Sequence, residues 1–98
     1  MFSFEKYHEE IRRKCWKYHV KSLVAFGSSL SDEFDDDSDL DFLLELVEPK
    51  GGLSKYMNIK FELETLFNRS VDIVISKAIK NGLIKTYIFS NIRKLYSA

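Results

Sequence analysis

The sequence predicts an α/β (α+β) domain, a small mixed sheet of three or four strands flanked by helices. Three observations predict it. Segments with helical spacing alternate with short apolar runs in the order α-β-(α)-β-α-β-α, an alternation that packs helices onto a small sheet. Leu40 to Val47 is almost continuously apolar, as a central strand covered on both faces would be. The 98 residues suffice for one hydrophobic core and not two, so residues 1–98 read as a single domain.

Residues 3–19 read as a helix. Phe4, Tyr7, Ile11, Cys15 and Tyr18 recur at spacings of three and four with charges between them, and Ser3 is placed to cap the start. Leu23-Val24-Ala25-Phe26 is a buried strand closed by Gly27. Ser28 to about Glu33 fits a short helical turn. Leu40 to Val47 is the second strand, and Glu48-Pro49-Lys50-Gly51-Gly52 breaks the chain as a loop. Residues 53–68 are helical, with Tyr56, Ile59, Leu63, Leu66 and Phe67 on one face. Val71 to Ile75 is a third strand, β-branched except for Asp72. From Ile79 to Tyr96 a last helix fits, with Ile84, Tyr87, Ile88, Ile92 and Leu95 inward.

Composition excludes several classes. Lys+Arg and Asp+Glu are 15 each, so no global field draws the chain to nucleic acid or to a membrane surface. Cys15 is the only cysteine, which rules out an internal disulfide and a zinc site built on several thiolates, and reads as a half-buried, inert thiol. No apolar run approaches the length of a signal peptide core or a membrane span. A reducing, cytoplasmic location is the expectation. The charge is not evenly spread, however. Seven of the ten residues from Asp32 to Asp41 are acidic, whereas Lys77 to Ala98 holds five basic residues and no acidic one.

The acidic cluster carries the chemistry. Asp39 and Asp41 stand two apart at the opening of an apolar strand, so their carboxylates project to the same face. Asp72 interrupts another apolar strand, where an ionised group is costly unless paired or bound to a cation. Two readings stand on pattern alone: a solvated loop pair with a lone strand-edge Asp, or three carboxylates that converge if the two strands are neighbours. In the second, Mg²⁺ is the natural partner, since it takes oxygen ligands and keeps positions for water and phosphate. Gly27-Ser28-Ser29 follows the first strand. Glycine lets a phosphate approach the backbone, and a turn into a short helix presents N–H groups to an anion. Alone, a Gly-Ser pair is ordinary turn chemistry.

Gly27-Ser28, ten residues, then Asp39-Leu40-Asp41 resembles the G-S-x(10)-D-x-D signature of the DNA polymerase β-like nucleotidyltransferases. More narrowly, Ser38-Asp39-Leu40-Asp41-Phe42-Leu43-Leu44 and Val71-Asp72-Ile73-Val74 resemble two strands of the minimal nucleotidyltransferase (MNT) family, over about Leu23 to Tyr96. That resemblance implies the polymerase β-like fold and transfer of a nucleoside monophosphate, commonly AMP from ATP, to a hydroxyl. It implies two Mg²⁺ ions, with Asp39 and Asp41 on both metals and Asp72 completing the site and helping to deprotonate the attacking hydroxyl. Gly27 and Ser28, with Ser29 beside them, would bind the nucleotide. It also implies a partner, a small helical HEPN-type toxin that the chain would neutralise as antitoxin by adding AMP to a tyrosine. The alternative is a non-catalytic antitoxin that acts by occlusion. A transferase for small molecules such as aminoglycosides is a third reading, but those enzymes add an acceptor domain. The chain departs from the family at Ser29, Asp32, Asp35 and Asp36, where relatives carry basic residues or glycine.

Other features take plainer readings. His8 and His19, eleven apart on the first helix, lack the spacing of a helical zinc pair. Arg12, Arg13, Lys14, Lys17 and Lys21 are a solvated face. The basic C-terminal residues lack the interleaved aromatics of a nucleic-acid surface. Trp16 and Tyr96 take two readings, exposed partner contacts or core and rim packing, of which packing is the simpler. A homo- or hetero-oligomer is compatible with a catalytic core that obtains its acceptor from outside.

Overall fold

The computed structural model describes residues 2–30, 35, 37–48, 52–75 and 91–98, without the side chains of Ser28 and Ser29. A 3-10 turn at Glu5–Tyr7 leads into α1 (His8–Lys17). Neither start has a side-chain cap, so the expected capping by Ser3 is not made. β1 (Val20–Phe26), a 3-10 turn at Gly27–Leu30, β2 (Leu40–Leu46), α2 (Gly52–Phe67), β3 (Val71–Ile75) and β4 (Ile92–Ser97) follow. His19, with φ 56°, turns the chain from α1 to β1, and its carbonyl accepts the Val47 N–H at 3.0 Å. Asn68, with φ 54°, ends α2 in the left-handed conformation that asparagine tolerates. No helix among the described residues is long and apolar enough to cross a membrane.

The four strands form one mixed sheet in the order β3-β2-β1-β4. β1 runs antiparallel to both β2 and β4, and β2 runs parallel to β3. The alternation of strand side chains divides the sheet into two faces. Leu23, Ala25, Leu40, Phe42, Leu44, Val71 and Ile73 point to one, where Ile11 and Cys15 of α1 and Ile59, Leu63 and Phe67 of α2 pack on them. Phe2, Phe4, Tyr7 and Phe42 surround Phe67 with ring centroids 5.0–6.0 Å away. Each large side chain buried there contributes about 1.5–3 kcal/mol. Lys14 Nζ, 3.2 Å from Glu62 Oε1, ties the two helices together. The other face carries the smaller cluster of Val24, Phe26 and Leu43, with Val74 against it. The same face receives Asp39, Asp41 and Asp72.

The C-terminus corrects the sequence reading. Ile92 to Ser97 is a strand and not the end of a helix, and residues 79–90 of the expected helix lie outside the described residues. Tertiary pairing overrode local period. Central strand β1 has unsatisfied N–H and C=O groups on the side away from β2, and β4 supplies their partners, from Ile92 opposite Phe26 to Ser97 opposite Ser22. Leu95 and Tyr96 pack on the helical side of the core, while Ile92 is exposed. The C-terminal basic residues therefore do not form one helix: Arg93 and Lys94 stand on an edge strand, and Lys77, Lys80 and Lys85 are outside the described set. Trp16 is also corrected, being 78% exposed and not packed in the core or at its rim. Cys15 is fully buried, and burial pushes its thiol up to about 12. α1 ends at Lys17, so His19 is not on the helix that carries His8.

Candidate active site

The site forms where β1 ends and β2 and β3 begin. Phe26 pairs with Asp41 across the antiparallel ladder, and Asp41 pairs with Asp72 across the parallel one. Paired residues in register point to the same face, so the two carboxylates stand side by side. Asp39 lies two residues before Asp41, just ahead of the strand, and shares its face. The order β3-β2-β1 thus brings together the residues that the sequence leaves apart. Asp39 and Asp72 are exposed, and only Asp41 is partly buried. The energetic cost inferred for a carboxylate within a strand therefore falls on Asp41 and not on Asp72.

The electrostatics match this placement. Burial first, then the charges of Asp72 and Asp39, push the Asp41 carboxyl above its ordinary value. Every one of those causes opposes ionisation. Gly27 closes the site from the β1 side. Its φ is 77°, in the region that favours glycine, and a Cβ placed on it would come 2.6 Å from Asp41 Oδ2. The backbone at Gly27 therefore lies directly against the carboxylate. The 3-10 turn that follows is anchored by buried Leu30. The Ser28 and Ser29 backbone lies in that turn, and their side chains are outside the described residues.

Arg69 was missed by sequence reasoning. Its Nη1 donates to the carbonyls of Asp35 at 3.1 Å and Ser38 at 2.9 Å, which pins the acidic segment immediately before Asp39. Asp35 completes a local turn: its Oδ1 accepts the Asp37 N–H at 2.9 Å and the Ser38 hydroxyl at 3.0 Å. Asp35 is thus a turn former, as an acidic residue often is, and Asp32, Glu33 and Asp36 lie outside the described residues. The available sequence signal for Arg69 was its position in the turn Asn68-Arg69-Ser70, one turn before the Asp72 strand. β3 is held in place by neighbours on α2. Tyr56 Oη donates to the Ile73 carbonyl at 2.6 Å, and Glu64 Oε2 accepts the Val71 N–H at 3.1 Å.

The donor set at Asp39, Asp41 and Asp72 is carboxylate oxygen throughout, which fits a hard divalent cation such as Mg²⁺. The mutual repulsion felt by Asp41 is what such an ion would relieve. Among the described residues, no group of three or more His, Cys, Asp or Glu side chains is already gathered tightly enough to hold a metal ion.

Comparison with known proteins agrees with the geometry. Residues 5–95 match the nucleotidyltransferase domain family. A protein of Methanocaldococcus jannaschii assigned as a protein adenylyltransferase is 40% identical over 81 residues, covering 83% of this chain and 80% of its own. The protein adenylyltransferase MntA of Thermococcus cleftensis is 32% identical over 72 residues, covering 74% and 72%. Among solved structures, one assigned as a minimal nucleotidyltransferase superposes with a TM-score of 0.76 at 24% identity, covering 92% of this chain and 90% of that one. A Shewanella oneidensis complex of a tri-AMPylated HEPN toxin with an MNT antitoxin gives 0.68 at 11% identity, covering 98% and 74%. At these identities the structures speak to the fold.

Proposed function

Because this chain belongs to the nucleotidyltransferase domain family and, within it, to the minimal nucleotidyltransferases, we propose that it is a Mg²⁺-dependent protein adenylyltransferase acting as an antitoxin. It would transfer AMP from ATP to a tyrosine hydroxyl of a small helical HEPN-type partner. The observation that carries the reading is the register of Asp41 against Asp72, with Gly27 in contact with Asp41. The names of the relatives supply the acceptor class, since the two at 40% and 32% identity are assigned as protein adenylyltransferases.

Asp39, Asp41 and Asp72 would hold two Mg²⁺ ions, and bound Mg²⁺ supplies Lewis-acid stabilisation of charge on the phosphates. Asp72, exposed at the mouth of the site, accepts the proton of the attacking hydroxyl. The acceptor oxygen forms a bond to the α-phosphorus, the bond from that phosphorus to the bridging oxygen breaks, and pyrophosphate leaves. Gly27, Ser28 and Ser29 bind the terminal phosphates, with Gly27 keeping the backbone clear of a side chain. Arg69 keeps Asp39 at the strand entrance through the Ser38 carbonyl. A cytoplasmic setting suits an ATP-dependent protein whose single cysteine is reduced and buried.

A second reading, neutralisation by occlusion without transfer, is favoured by one observation. The spacer before Asp39 is acidic, and at Asp35 it is a turn former and not a cation for triphosphate. One assay separates the two. The chain is incubated with its HEPN-type partner, ATP and Mg²⁺, and the partner is weighed by mass spectrometry. A gain of one AMP that is lost in Asp39→Ala/Asp41→Ala supports transfer. An unmodified partner, still neutralised by the Asp39→Ala/Asp41→Ala/Asp72→Ala variant, supports occlusion.

A further inference from the structure

β3 stands at one edge of the sheet and has a neighbouring strand, β2, on its inner side only. The backbone N–H and C=O of one strand residue point to one edge, and those of the next residue to the other. Just before the strand, the Ser70 carbonyl accepts the Leu40 N–H at 3.0 Å, so it faces β2. Asp72, two residues on, has the same parity. Its backbone groups therefore face β2, and those of Val71 and Ile73 face outward. An edge strand leaves such outward groups without a ladder. Here two side chains of α2 meet them. Glu64 Oε2 accepts the Val71 N–H at 3.1 Å, and Tyr56 Oη donates to the Ile73 carbonyl at 2.6 Å. Tyr56, Lys60 and Glu64 recur every four residues and share one flank of the helix. Lys60 Nζ lies 3.5 Å from Glu64 Oε2 and steadies that carboxylate. The two contacts bracket Asp72, the residue between the two they hold.

We propose that Tyr56 and Glu64 are positioning residues for Asp72. They stand in for the strand that β3 lacks on its outer side, and so fix the peptide from which the Asp72 carboxylate reaches toward Asp41. The two carboxylates are not equally secured by the sheet. Asp41 sits on β2, which is laddered to β1 on one side and to β3 on the other. Asp72 sits on a five-residue edge strand and its side chain is exposed, so its place is set by the backbone that carries it. Burial of Val71 and Ile73 settles which face Asp72 turns to. Apolar packing is non-directional, however, and leaves the strand free to shift along or away from β2. The two hydrogen bonds are directional and remove that freedom. Neither Tyr56 nor Glu64 is on the Asp face, because α2 covers the opposite side of the sheet. They act on the site through the backbone of β3. The inference rests on the reading of Asp72 as a metal ligand, and its test separates the two.

Nuclear magnetic resonance of the isotope-labelled full chain tests it with two readouts that need no turnover. One is amide hydrogen exchange at Val71 and Asp72. The other is titration with Mn²⁺, followed by paramagnetic broadening of amides around the site. Tyr56→Phe keeps the ring and removes only the hydroxyl. Glu64→Ala removes the acceptor, whereas Glu64→Gln keeps an amide oxygen that accepts the same N–H. In Tyr56→Phe/Glu64→Ala both amides should exchange faster and Mn²⁺ affinity should fall by roughly tenfold, the scale of outer partners of metal ligands. Each single variant should show a smaller loss and decides the question if the double variant does not fold, while Glu64→Gln should stay close to the parent. Lys14→Ala breaks the bridge from α1 to Glu62 without touching β3. It should lower the melting temperature and leave Mn²⁺ affinity unchanged. Parental Mn²⁺ affinity in Tyr56→Phe and Glu64→Ala, with affinity lost in Asp72→Ala, overturns the proposal and leaves Asp72 a ligand. Equal broadening by Mn²⁺ in the parent and in Asp72→Ala overturns the ligand reading and the proposal with it. A loss in Lys14→Ala as large as in the β3 variants overturns it too, since affinity would then follow overall stability.

Discussion

Gly27 and Asp41 sit so close that a single methyl group would not fit between them: a Cβ on Gly27 would stand 2.6 Å from Asp41 Oδ2. Two costs therefore fall on Gly27→Ala. The φ of 77° strains a residue with a side chain by about 1–2 kcal/mol, and the new methyl displaces the carboxylate. The expected outcome is a domain destabilised by about 1–3 kcal/mol, with a larger loss in AMP transfer than stability explains. Chemical denaturation beside the partner-modification assay checks both.

Asp41 opposes the fold that uses it. Its folded carboxyl titrates higher than in the unfolded chain because of burial and of Asp72 and Asp39. The unfolded state therefore ionises first. The stability that protonated Asp41 contributes is present at acid pH and lost as pH rises through its raised folded value. Asp41→Asn is expected to stabilise the metal-free domain at neutral pH by up to about 1 kcal/mol, a few degrees in melting temperature at this size. The gain should shrink as pH falls through the acid range. Mg²⁺ should raise the melting temperature of the parent and not of the variant. Thermal melts against pH, with and without Mg²⁺, read all three effects.

Arg69 links the turn after α2 to the acidic segment through the Asp35 and Ser38 carbonyls, and its guanidinium lies 5.6 Å from the Phe2 ring. Arg69→Ala removes both charge-assisted hydrogen bonds and should cost about 1.5–3 kcal/mol. AMP transfer should fall by about tenfold as Asp39 loses its fixed position, since small misplacements at a reacting centre are expensive. Arg69→Lys, with a single ammonium in place of the fork, should recover stability better than rate. Single-turnover kinetics compared with denaturation midpoints separates the two.

Cys15 is buried on the inner face of α1 with its thiol pushed up to about 12. It should stay neutral and resist alkylation in the folded chain at pH 8, and react at the ordinary rate in urea. Mass spectrometry after iodoacetamide treatment measures this. Rapid labelling of the native chain would show that α1 opens locally.

Much of this architecture is legible in residue order. Leu40–Leu46 reads as a central strand because it is almost continuously apolar, and Val71–Ile75 because it is β-branched. The helical stripe of Ile59, Leu63 and Phe67 is equally plain. The segment Ile92–Ser97 is not, because a six-residue stretch supports either period and the deciding partner, the free edge of β1, is some seventy residues away in the chain. The exposure of Trp16 and of Leu53, Met57 and Phe61 is hidden for a similar reason: sequence pattern finds the buried face of a helix but does not say what covers the other.

The same division holds at the site. Residue spacing alone determined that Asp39 and Asp41 share a face and that Gly27 ends a strand, because both follow from local backbone geometry. Only the tertiary structure decided that Asp72 stands beside Asp41, that Gly27 touches it, and that Arg69 holds the segment before Asp39. Those relations depend on strand order and register, which are settled by burying two faces of one sheet at once and not by any short stretch of chain.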